Sequence, residues 1–162
     1  MKEQSWREMP ELLDLHPVDM FLVWAVRTWN YQRVAENSVE ELLETGCEQV
    51  GIQDLPVALS ALMELIVSKS GNAVWPVCMG YRRLIDEERK LLSALSLTRS
   101  QRFTEVRDLL KEWLGVKNVS KALSLLKTIS RIVENFKRLR NSGYQYHSQV
   151  RRTQESVHCT IH

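Results

Sequence analysis

Residues 55–67 (LPVALSALMELIV) are apolar at every position except Ser60 and Glu64, and Ser68 follows at the same spacing of four. On a helix, residues four apart share a face, so these three draw one narrow polar line along a cylinder that is otherwise apolar. A helix of that kind has to be enclosed by other helices. The segment therefore predicts an all-α protein with residues 55–67 at its centre. No stretch of the chain shows the alternation of two that a half-buried strand requires.

The flanking sequence supplies the enclosing helices. A short first helix over residues 6–15 ends at His16-Pro17, where His16 reads as a helix-start residue and Pro17 suits the first turn of a helix over residues 18–36. That helix opens with Met20, Phe21, Leu22, Val23, Trp24, Ala25 and Val26, apolar all round, which places it inside the bundle or in an interface with a second copy. Its later residues Arg27, Asn30, Gln32 and Arg33 predict an end that reaches solvent. Ser38 and Glu41 form an S-x-x-E capping box ahead of Leu42, Leu43, Cys47 and Val50, and Gly51 stops that helix. Asp54 caps the central helix, with Pro56 in its first turn.

Downstream, Asp86 reads as the cap of a helix to about Leu97, and Thr98 with Gln101 as a T-x-x-Q box opening a helix to Leu114, closed by Gly115. Asn118 caps a last helix over residues 119–140, whose stripe Ala122, Leu123, Leu126, Ile129, Val133 and Phe136 faces the core. Short links imply antiparallel neighbours. The expectation is one compact domain over residues 1–140, built from about six to seven helices, largely antiparallel helical hairpins. A flexible, mobile basic and polar C-terminal tail follows over residues 141–162.

Composition narrows the class. At 162 residues, 44% hydrophobic and 26% charged, the chain suits a soluble domain of ordinary size. Its longest apolar run is seven residues, against roughly 20 for a membrane-crossing helix. The first residues show no secretory signal. Cys47, Cys78 and Cys159 are far apart and odd in number, which fits reduced thiols in a cytoplasmic protein.

The net charge of +2 conceals a polarised chain: residues 1–70 carry −7 and residues 71–162 carry +9. Opposed charge of this kind suits an anionic partner, or attraction within or between copies. The cations concentrate in residues 117–152, where nine Lys and Arg face one acid, Glu134. Lys127, Arg131 and Arg138 fall opposite the apolar stripe of the last helix. With Arg151 and Arg152 they form a candidate phosphate-contacting face for nucleic acid.

A second candidate is the irregular stretch 70–85, where Gly71, Pro76 and Gly80 break any helix but apolar side chains persist. Trp75, Tyr81, Arg82 and Arg83 supply the aromatic and guanidinium anchors favoured at protein interfaces. Cys78 beside two arginines reads as a gap-filling thiol rather than a reactive one. In the tail, which holds His147, His158, Cys159 and His162, the pair His158 and His162 stands four apart, a spacing that suits a metal on a helix, but no helix is expected there and no third ligand is positioned beside them. No phosphate-binding glycine loop, nucleophile elbow or Cys/His pair with recognisable catalytic spacing is present, and the acid pairs Glu40/Glu41 and Glu87/Glu88 suit first helical turns. The function expected is a non-enzymatic protein–protein interaction or regulatory module with no cofactor and no metal. The alternative is a nucleic-acid-binding regulator using the basic last helix and tail.

Overall fold

The computed structural model describes residues 11–34, 41–69 and 79–141. They form six α-helices: α1 (Pro17–Val34), α2 (Glu41–Gln49), α3 (Leu55–Lys69), α4 (Asp86–Arg99), α5 (Phe103–Leu114) and α6 (Val119–Asn141). Short 3-10 turns occupy Leu12–Asp14 and Val116–Asn118. Among the described residues there is no strand, only an isolated antiparallel bridge between Glu11 and Arg83. No helix among them is long and apolar enough to cross a membrane.

The polar line of α3 behaves as its spacing demands. Leu55, Leu59, Leu62, Met63, Ile66 and Val67 are wholly buried, while Glu64 and Ser68 face out. The line begins one turn early, at Val57, which is 78% exposed despite being apolar. The centre is also shared. α3 packs on α6, which in turn packs on α4 and α5, and α1 and α2 close against α3. One apolar cluster runs through all six helices, from Val18 to Phe136. Phe21 of α1 joins its two ends, with its ring 5.5 Å from Phe136 and 5.2 Å from Trp24. A Cβ added at Gly46 would stand 2.2 Å from the Trp24 ring, so glycine is what allows α2 to lie this close to α1.

Helix ends show where side-chain capping gives way to backbone geometry. At the end of α2, Gly51 takes φ 76°, and the amides of Gly51 and Ile52 donate to the carbonyls of Glu48 and Cys47 at 3.0 and 2.9 Å. This is a Schellman closure, and buried Cys47 and Ile52 form its usual apolar pair. The same closure ends α4 without glycine: Gln101 adopts φ 58°, and Gln101 and Arg102 donate to Thr98 and Leu97 at 3.0 and 2.9 Å. The T-x-x-Q box is thereby overturned. Thr98 is a buried α4 residue whose hydroxyl donates to the Ala94 carbonyl at 2.7 Å.

Two further caps differ from expectation. Asn118 closes α5 rather than opening α6, donating from Nδ2 to the Leu114 carbonyl at 3.1 Å. Asp86 is the first residue of α4. The start of that helix is capped instead by Glu88, whose Oε2 accepts the Ile85 N–H at 3.1 Å. Of the short first helix, residues 11–15 are an extended residue and a 3-10 turn, not an α-helix. Asn141, expected to open the tail, is the last residue of α6; Ser38 and residues 142–162 lie outside the described residues.

Candidate interaction surface

The segment from Met79 to Ile85 crosses α1 and leads into α4. Its inward side chains are Met79 and Leu84, both buried. Leu84 joins Leu12 and Val23 in a second, smaller apolar cluster. Met79 sits against α1, where the Thr28 hydroxyl approaches its sulfur at 3.8 Å.

What fixes the segment is a buried charge. Arg27 of α1 is 2% exposed and Glu88 of α4 is 1% exposed. Nε of Arg27 donates to Glu88 Oε1 at 2.7 Å and Nη2 to Oε2 at 2.9 Å, a two-pronged pair. Two of the three remaining guanidinium hydrogens reach the segment's backbone, with Nη1 donating to the Tyr81 carbonyl and Nη2 to the Arg83 carbonyl at 2.9 Å. On the far side, the Leu12 amide donates to the Arg82 carbonyl at 2.6 Å. Three consecutive carbonyls are thus held by named donors. A guanidinium carries five N–H groups in a planar fork, so one side chain makes all four of these Arg27 bonds; lysine, with three donors, cannot.

Two sequence expectations hold only in part. The end of α1 reaches solvent at Tyr31, Arg33 and Val34, but Arg27 and Asn30, read as part of that exposed end, are buried. Glu88 does sit in the first turn of α4, as its spacing suggests, but it is buried there and is also the counter-charge of Arg27. The signal that could have found them was the pairing of a lone arginine in a greasy helix with an acid at the third position of another, but sequence spacing says nothing about which helices meet.

With its backbone anchored, the segment turns Tyr81 and Arg82 outward, Tyr81 being 48% exposed, and leaves Arg83 half-buried. Leu13, on the neighbouring 3-10 turn, is 65% exposed. Tyr81, Arg82 and Arg83 therefore share one short segment, whereas Trp75 and Cys78 lie outside the described residues.

The basic face of α6 has a different support. Lys127 and Arg131 are exposed, while Ile129, Val133 and Phe136 are buried on the opposite side. Lys127 Nζ stands 4.4 Å from the centroid of the Phe103 ring, covering the start of α5. The side chain of Arg138, and Arg151 and Arg152 altogether, lie outside the described residues, as do His147, His158, Cys159 and His162. Phe21, Leu22, Val23, Trp24, Ala25 and Val26 are all buried within the chain, and only Met20 of that run is partly open. A second copy could reach these side chains only by opening the core.

Other reactive types are occupied. Burial pushes the Cys47 thiol up to about 12, with the Glu44 carboxylate adding to the effect, so it stays protonated and unreactive. His16 accepts the Val18 N–H on Nδ1 at 3.3 Å, a helix-start role. It also lines a polar recess of about 360 Å³, where Arg99 donates to Asp19 at 3.0 Å. No group of three or more metal-ligating side chains comes together among the described residues. Comparison of the chain with protein-family models, curated proteins and solved structures finds no match.

Proposed function

We propose that the chain is a cytoplasmic, non-enzymatic protein–protein interaction or regulatory module that docks a partner on Tyr81, Arg82 and Arg83, with Leu13 beside them. The observation that supports it is the Arg27 fork. A buried ion pair is a costly way to gain stability, yet this one grips the backbone beneath the outward residues. A surface whose backbone is already ordered loses less conformational freedom on binding. Aromatic and arginine side chains are the types that carry interface energy, and the two guanidinium groups suit an acidic partner.

A second function is favoured by one observation, the exposed Lys127 and Arg131 on a helix whose other side is fully engaged. Such a face meets phosphates through charge alone, so its affinity for DNA or RNA falls steeply as salt rises.

The deciding experiment compares affinity capture by the full chain, by Arg82→Glu/Arg83→Glu and by Lys127→Glu/Arg131→Glu. Partner recovery is expected to fall about tenfold or more with the first pair, which corresponds to roughly 1.4 kcal/mol, and to stay unchanged with the second. Equal recovery by all three proteins removes both surfaces. DNA or RNA binding at low salt, lost only in Lys127→Glu/Arg131→Glu, moves the assignment to α6.

A further inference from the structure

The geometry points to a binding site for a small organic cation, a guanidinium or ammonium group on a short aliphatic stem, in the cleft between α1, α2 and α3. The cleft has a volume of about 380 Å³ and is lined by Trp29, Arg33, Leu43, Glu44, Ser60 and Glu64 among others. That size lies at the small-ligand end of the usual range of protein pockets.

The cleft already displays the recognition chemistry. Arg33 lays its guanidinium over the Trp29 ring, 5.4 Å from the centroid, and donates from Nη1 to Glu64 Oε1 at 2.9 Å. An aromatic face with a carboxylate at its edge is what an organic cation requires. The protein fills that arrangement with its own side chain and still has acceptors left over. Glu44 forms no ion pair among the described residues, and Arg33 Nη1 meets Glu64 at Oε1. Ser60 adds a hydroxyl to the lining, and buried Leu43 offers an apolar contact for a stem.

Charge has the matching sign. Arg33 against Glu44 and Glu64 leaves the lining negative. Field lines concentrate in a concave site with low-dielectric walls, so the local concentration of cations rises there. The Arg33–Glu64 pair is half-open to water, with side chains 29% and 62% exposed, and exposed pairs of this kind are readily exchanged. A ligand cation can therefore share Glu64 without dismantling the core. None of the lining residues belongs to the Tyr81–Arg83 surface, so this site and the proposed function stand or fall separately.

The test is calorimetric titration of the full chain with two probes: agmatine, a free small cation, and end-blocked Gly-Arg-Gly, which presents the same group on a peptide. Saturable binding of either probe is expected. It should weaken about threefold or more in Glu44→Gln and in Glu64→Gln and stay unchanged in Glu112→Gln, a carboxylate on α5 outside the cleft. The probe that binds more tightly names the source of the cation. All three substitutions are at exposed positions, and a melting curve for each verifies the fold. The site is overturned by a lack of saturable binding of both probes up to about 10 mM, weaker than any useful affinity. Binding that Glu44→Gln and Glu64→Gln leave intact, or that Glu112→Gln weakens equally, overturns it as well.

Discussion

Two arginines of α1, six residues apart, each pair with a glutamate of a later helix, and the two pairs have opposite characters. Arg27 meets Glu88 with both side chains within 2% of full burial, whereas Arg33 meets Glu64 at the surface. The first pair replaces all the water around a guanidinium with a carboxylate and two carbonyls, so it fixes backbone. The second keeps its water, so it is exchangeable and its cleft stays available. The same residue types thus do structural work in one place and leave a recognition site in the other. What separates them is burial, because removing water raises both the cost of the charge and the penalty for leaving it alone.

The largest effect that sharpens this contrast is expected at Arg27. Arg27→Met strands a buried carboxylate and two buried carbonyls, and should destabilise the fold by about 3–5 kcal/mol in denaturant titration. A loss under about 1 kcal/mol would show that the pair is wet and the contrast false. Next in size is the recovery expected in Arg27→Met/Glu88→Leu. With the orphaned charge gone, that double variant should be about 1–3 kcal/mol more stable than Arg27→Met alone. The smallest effect belongs to Arg33→Met, about 0–1 kcal/mol, fading further in 1 M salt, where the screening length is about 3 Å. Equal costs at Arg27 and Arg33 would break the comparison outright.

Much of the fold was legible because it depends on local periodicity. The polar line of α3, the stripe of α6 and the stop at Gly51 all follow from spacing within one helix. The errors share a cause. Gln101 in a left-handed turn and Asn118 closing α5 involve backbone bonds that a side-chain pattern such as T-x-x-Q does not report. Arg27 and Glu88 are 61 residues apart, and neither is recognisable until the packing of α1 against α4 is known. Arg82 and Tyr81 could be nominated from residue type, but the fork that holds their backbone could not. The Trp29–Arg33–Glu64 cleft was equally hidden, because it draws on three helices, and its Glu64 registered in the sequence only as part of α3's polar line.

A docking surface at Tyr81, Arg82 and Arg83 requires the segment beneath them to be ordered before any partner arrives. Amide hydrogen exchange at Leu12, whose N–H donates to the Arg82 carbonyl, measures this in the wild-type chain. Protection well above that of an unstructured peptide, abolished in Arg27→Met under conditions where α3 and α6 remain protected, is the predicted result. Exchange at Leu12 as fast as in an unstructured peptide in the wild type would contradict it.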